Sequence, residues 1–158
     1  MSRITTITPA ARTSPLAILP LLEALRDHAD DPVLYELLDE PTDEREFFLL
    51  QQNEDYQLWL ISWPPGSSTG WHDHGSAAGA YTVLAGSLVE QEWDGSLQLT
   101  DVGPGDARAY AAGHVHDVKN RSNEPALSLH AYSPRLDAMN RYVFRGDRVE
   151  LIAAEPGR

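Results

Sequence analysis

Two histidines one residue apart, His72 and His74, stand in the stretch 66–86, GSSTGWHDHGSAAGAYTVLAG. The segment reads as β, and side chains two apart on a strand point the same way, so both imidazoles can close on one ion. Imidazole is the commonest protein ligand for a first-row transition metal. A second stretch, 105–120, supplies a third candidate, His116. The chain has no cysteine, so there is no thiolate site and no disulfide framework, and any metal is held through histidine or carboxylate. Three neutral imidazoles on a dication leave its charge uncompensated and several coordination positions open, which suits a substrate arriving as an anion. The expectation is a redox-active metal in the mouth of a small β-barrel.

Such a site needs strands that alternate their side chains and turn sharply. After Pro41, short runs rich in aromatic and β-branched residues follow one another, separated by Gly, Pro, Asn and Asp. They predict strands over 46–51, 57–63, 80–84, 87–93, 97–100, 107–111, 115–120, 126–133, 141–144 and 148–152. Asp94-Gly95 and Gly146-Asp147 are turn dipeptides between two such runs. So many short strands without intervening helices predict an all-β sandwich or closed barrel. Ahead of them, Ser14-Pro15 reads as an N-cap and first helical position. Leu16, Leu19, Leu22 and Leu25 then recur at near-helical spacing to about Asp27, with Pro20 set to kink or split the helix. Asp31-Pro32 restarts the pattern, and Val33, Leu34, Leu37 and Leu38 predict a second short helix ending before Pro41. Residues 1–158 therefore read as one domain, a helical segment 1–41 packed outside a barrel 42–158.

Counting positions sharpens the histidine pattern. The first stretch runs Gly66, five residues, His72, one residue, His74, four residues, Gly79, six residues, Gly86. The second runs Gly105, five residues, Ala111, one residue, Gly113, two residues, His116, three residues, Asn120. These spacings resemble the two motifs of the cupin superfamily, a jelly-roll-like double-stranded β-helix that often has a metal inside. Gly79 stands where that pattern has glutamate and Ala111 where it has proline, so the only anionic ligand is lost.

Within the cupins the wording resembles the thiol dioxygenases, of which cysteine dioxygenase is the best known. Trp63, Gly66 and Ser68 lead into His72-Asp73-His74, and further on come His116-Asp117-Val118-Lys119-Asn120, Glu124-Pro125-Ala126 and Ser128-Leu129-His130-Ala131-Tyr132-Ser133-Pro134. The resemblance covers roughly 57–134. It implies His72, His74 and His116 as Fe(II) ligands, and Ser128, His130 and Tyr132 as a triad in which serine orients histidine and histidine orients the phenol. The three triad residues are two apart, so on a strand they share one face. The implied reaction adds both atoms of O2 to the sulfur of a small organic thiol, such as cysteine or 3-mercaptopropionate, giving a sulfinic acid. Alternatives are the same chemistry on a larger thiol such as an imidazole-thione, a non-thiol metal-dependent cupin enzyme, or a cupin that only binds metal or ligand.

Other positions follow from the same resemblance. Gly79 also stands where mammalian-type members carry a cysteine crosslinked to the triad tyrosine, so Tyr132 carries no such crosslink. Counting back to the arginine that grips a substrate carboxylate in that family reaches Glu46, beside Arg45. Arg45 and Gln51 are candidate substrate contacts, Trp63 and Trp71 candidate pocket walls, and Arg135 and Arg141 further carboxylate partners. His114 reads as a rim residue, Asp73 as a solvated one, and Ser133-Pro134 as a candidate cis bond. The formal charge of −12, from 24 acidic and 12 basic residues, argues against nucleic acid and against an anionic membrane surface. With no signal-like or spanning segment, the expectation is a cytoplasmic monomer or small homo-oligomer.

Overall fold

The computed structural model describes residues 18–40 and 42–156. The Ser14-Pro15 cap, Leu16 and Pro41 lie outside the described residues. The first described element is α1, Ile18–Ala29. Its buried stripe is Leu21, Ala24 and Leu25, while Leu19, expected on the apolar face, is 64% exposed. The expected split at Pro20 does not occur within the described residues, where α1 runs through Pro20 as one helix. The second helix is a 3-10 helix, Pro32–Asp39, capped by Asp31, whose Oδ1 accepts from the Val33 amide at 3.1 Å.

The strands are β1 Glu46–Gln52, β2 Gln57–Trp63, β3 Ala78–Ala85, β4 Leu88–Trp93, β5 Leu97–Val102, β6 Ala107–Tyr110, β7 His116–Lys119, β8 Ala126–Ser133, β9 Ala138–Phe144 and β10 Val149–Pro156. Strands β3, β9 and β10 run longer than their local signal. Residues such as 138–140 and 153–156, weak strand formers alone, are held by the ladder that joins Ala138 to Pro156. Five strands form one sheet in the order β1-β2-β8-β3-β6, and β5-β4-β7 and β10-β9 form the opposing layer. The segment through His72 stitches that layer together. The His72 amide donates to His116 O at 2.9 Å and the His116 amide returns the bond at 3.0 Å, while Asp73 N donates to Asn140 O and Tyr142 N to Trp71 O.

Alternation along the central strands sorts the side chains. On β2 and β8, Leu58, Leu60, Leu127, Leu129 and Ala131 face outward and are covered by Leu21, Leu25 and Leu34 of the helices. Ile61, Trp63 and Tyr132 face inward, with Tyr81, Val83 and Val118 from other strands. Both faces of the sheet are thus buried, and polar residues at inward positions sit inside the barrel. No described helix is long and apolar enough to cross a membrane.

Candidate metal centre and its cavity

His72, His74 and His116 converge inside the barrel, each no more than 3% exposed, with one ring nitrogen from each within 4.8 Å of the others. Strand β7 carries His116, and the backbone bridge to His72 brings the two stretches side by side. Gly70, with φ +73°, turns its carbonyl to accept from His72 Nδ1 at 2.7 Å. That bond leaves His72 Nε2 as a bare lone pair, 3.2 Å from His74 Nε2. His116 is fixed the same way, its Nδ1 donating to Glu90 Oε1 at 2.7 Å.

The donor set fits a cation. Two Nε2 lone pairs converge with the third imidazole, and His74 Nδ1 is buried with no partner among the described residues. Burial, reinforced by His116, holds His72 well below the usual imidazole value. Burial and then His72 do the same to His74, and at His116 burial outweighs the upward pull of Glu90. All three are neutral rings with the lone pairs a transition metal takes.

An anion enters one bond further out. The carboxylate lost at Gly79 has a counterpart in Glu90, fully buried on β4. Arg108 Nε donates to Glu90 Oε2 and Arg108 Nη2 to Glu92 Oε1, both at 2.8 Å. Burial pushes the Glu90 carboxyl up, but the hydrogen bonds and charge around it hold the group well below the ordinary range. Glu90 was missed from sequence, although alternation puts it on the same face as buried Leu88. His114 sits at the edge of this cluster, its Nε2 3.4 Å from Glu92 and 3.6 Å from Glu90. Asp73 is not solvated as expected. It is buried and accepts from Tyr142 Oη at 2.6 Å, Gly75 N at 2.9 Å and Asn140 Nδ2 at 3.0 Å, fastening the histidine segment to β9.

On the opposite wall, Ser128, His130 and Tyr132 share the inward face of β8. Trp63 Nε1 donates to Ser128 Oγ at 2.7 Å, and Ser128 Oγ lies 2.7 Å from His130 Nε2. Indole is a donor only, so it takes a serine lone pair, and the buried serine proton goes to His130 Nε2. The remaining imidazole proton then sits on Nδ1, facing the Tyr132 hydroxyl at 3.5 Å. Burial brings His130 down to about 3, so the ring is neutral, and Tyr81 stacks on it at 5.0 Å.

His72, His74 and Tyr132 line one cavity with Arg45, Phe47, Trp59, Ile61, Thr69, Leu136, Met139 and Arg141. Among the other candidate contacts, Gln51, Trp63 and Trp71 do not line it. Gln51 accepts from Tyr56 Oη at 3.4 Å, Trp63 lies beneath Ser128, and Trp71 stacks on Phe144 at 5.6 Å. Arg135 donates to Asn53 O. The guanidinium of Arg45 lies over the Phe47 ring at 4.9 Å and the Trp63 ring at 5.1 Å. Arg141 donates to Thr69 O at 2.7 Å and to Glu155 at 3.2 Å. Trp59 and Met139 carried no signal beyond core hydrophobicity. Asn120 Nδ2 bonds Trp63 O and Glu124 O, pinning the loop after β7, and the Ser133-Pro134 bond is cis.

Comparison with known proteins adds two findings. A family model described as cysteine dioxygenase type I matches residues 16–145. Cysteine dioxygenase type 1 of Rattus norvegicus is 27% identical over 133 residues, 77% of this chain and 66% of the rat protein, so the match spans just under two thirds of that relative. A solved Klebsiella pneumoniae protein with a double-stranded β-helix domain aligns at TM-score 0.54 and 20% identity over 73% of this chain and 94% of that one. A cupin superfamily protein from Desulfitobacterium hafniense aligns at TM-score 0.54 and 22% identity over 63% and 86%. These likenesses show the fold, the all-β cupin double-stranded β-helix with short N-terminal helices.

Proposed function

As the chain belongs to the cysteine dioxygenase type I family, we propose that it is an iron(II)-dependent dioxygenase that converts a small anionic thiol to its sulfinic acid. The observation that carries this reading is the convergence of three buried neutral imidazoles with a triad phenol, two of the imidazoles and the phenol facing one cavity. His72, His74 and His116 would hold the iron. Iron(II), when bound, supplies the Lewis acidity and redox chemistry that join a thiolate to dioxygen. The reaction balances without an external electron donor, because sulfur gives up four electrons and both oxygen atoms finish on it.

The protein's own part is positional. Glu90 keeps His116 in the tautomer that presents Nε2. The Trp63–Ser128–His130 chain orients Tyr132 so that its hydroxyl donates to the ligand in the cavity. Phe47, Ile61, Leu136 and Met139 keep water from the reacting atoms. Arg45, which lines the cavity beside Phe47 and Tyr132, is the proposed carboxylate anchor. The cavity is about 40 Å³, on a scale where one water takes roughly 10–15 Å³. That favours a thiol of a few heavy atoms over an imidazole-thione.

The test is oxygen uptake by anaerobically purified, iron-loaded protein against cysteine, cysteamine, 3-mercaptopropionate and an imidazole-thione, with products identified by mass spectrometry. One O2 consumed per small carboxylate-bearing thiol, yielding a sulfinate, is expected. Tight iron binding with no thiol in the panel oxidised would sink the proposal.

A further inference from the structure

The strand register sets two phenols on either side of one glycine. Gly79 of β3 pairs with Tyr132 of β8 on one side and with Tyr110 of β6 on the other. Residues directly opposite across a sheet present their side chains on the same face. A Cβ at residue 79 would lie 2.5 Å from both Cζ and the hydroxyl oxygen of Tyr110. The backbone of Gly79 has no positive φ, so it is the volume taken by the Tyr110 ring that demands glycine here. His74 lies between the two phenols, 5.1 Å from the Tyr110 ring and 4.9 Å from the Tyr132 ring.

Tyr110 is 5% exposed, and its buried hydroxyl makes no hydrogen bond of full geometry, although the Tyr132 side chain lies close enough to act on it by charge and by hydrogen bonding. Buried phenol hydroxyls ordinarily find an acceptor, so this donor calls for a role. Tyr110 does not line the cavity and Tyr132 does, so its route to a ligand runs through Tyr132.

Resting on the thiol dioxygenase reading above, we propose that Tyr110 is a positioning residue for Tyr132, its O–H donating to the Tyr132 oxygen across the gap at Gly79. The Tyr132 oxygen then accepts from His130 Nδ1–H and from Tyr110, and its own proton is left for the cavity. Two donors on one phenol oxygen fix its rotation and polarise it into a stronger donor toward an anion. The ring that blocks any side chain at 79 thus carries the hydroxyl that completes the phenol pair.

Tyr110→Phe keeps the ring and deletes only the O–H. Buried hydroxyl protons are followed by proton NMR in the metal-free protein, with the Tyr132 signal identified by its loss in Tyr132→Phe. In Tyr110→Phe the Tyr132 signal moves upfield while the fold is retained, and kcat falls roughly 3- to 10-fold with KM unchanged. Gly79→Ala, which drives the ring away and leaves its hydroxyl intact, gives the same pair of changes. An unmoved Tyr132 signal, loss of the folded state in Tyr110→Phe, or an unchanged kcat in Gly79→Ala each overturns the proposal. If the wild-type protein oxidises no thiol, the proposed function fails, whereas the NMR shift still decides the pairing of the two phenols.

Discussion

Arg108, Glu90 and His116 form one hydrogen-bonded chain ending at the centre of the barrel. Trp63, Ser128, His130 and Tyr132 form another, and the two are made of opposite materials. In the first, a guanidinium grips a fully buried carboxylate at 2.8 Å and the carboxylate holds an imidazole at 2.7 Å. In the second every member is neutral, including an imidazole that burial keeps uncharged. A carboxylate behind a histidine locks its tautomer and raises its basicity, which suits a ligand that has to stay in place. A neutral chain aims a donor at an incoming anion without adding a fixed charge that would hold the product as tightly as the substrate. Under the proposed function, one wall would serve metal retention and the other ligand orientation.

The comparison breaks most visibly at Glu90. Glu90→Ala leaves His116 Nδ1–H without its acceptor and Arg108 with Glu92 alone of its two carboxylates. Removing one partner of a buried pair costs about 3–5 kcal/mol, with the lower end expected because the Arg108 side chain is 32% exposed and can rehydrate. Loss of a partner behind a metal-binding histidine lowers metal affinity roughly 10- to 100-fold. Denaturant unfolding and iron titration measure the two effects. Glu90→Gln keeps an oxygen for His116 and recovers much of the affinity. Metal binding by Glu90→Ala as tight as wild type would remove the retaining role from this wall.

The two chains also differ in how far they were legible before the fold was known. Ser128, His130 and Tyr132 lie on one strand at the period that puts them on one face, so their shared orientation follows from local geometry. The three converging histidines follow from fixed spacings around glycines, and all the strands carry local signals of alternation and turns. Glu90, Arg108 and Tyr110 come from β4 and β6, and Glu90 meets His116, Arg108 meets Glu90 and Tyr110 meets His74 only through sheet pairing. No residue spacing encodes those contacts. Asp73 was misjudged for the same reason, since its partners Asn140 and Tyr142 belong to a strand some seventy residues on. On α1, leucine spacing placed Leu25 on the buried face but also chose Leu19, whereas docking against β8 and β3 selected the stripe Leu21, Ala24 and Leu25.

Tyr132→Phe sharpens the contrast by acting on rate while sparing stability. The variant keeps the ring that packs against His74 and loses the hydroxyl, both the donor facing the cavity and the acceptor facing His130 Nδ1–H. A positioned proton donor contributes roughly 10²-fold or more, so kcat is expected to fall by about that factor while metal content stays unchanged. Unfolding free energy changes by about 1 kcal/mol, the net worth of one hydrogen bond. Single-turnover kinetics and denaturant unfolding on the same samples check it. A fall in metal content matching that of Glu90→Ala would mean that the two walls are not separable.

The last test concerns the neutral state of His130. Folded, this imidazole stays uncharged down to about 3, against an ordinary value of 6.5, with burial the leading cause. Between those two values the unfolded chain binds the proton and the folded chain does not, so stability rises with pH across that window. The contribution is complete above 6.5 and is lost as pH falls toward 3. His130→Gln keeps an amide that can accept from Ser128 and donate toward Tyr132, but it removes the titration. Its stability–pH curve is therefore flatter by at most about 1.4 kcal/mol per pH unit, with the slope from His72, His74 and His116 remaining. Denaturant unfolding from pH 3 to pH 7 (about 3 to 7, spanning the two values) measures it. Equal slopes in the two proteins would mean that His130 is charged when folded, and the neutral chain, with the tautomer derived for it, would have to be abandoned.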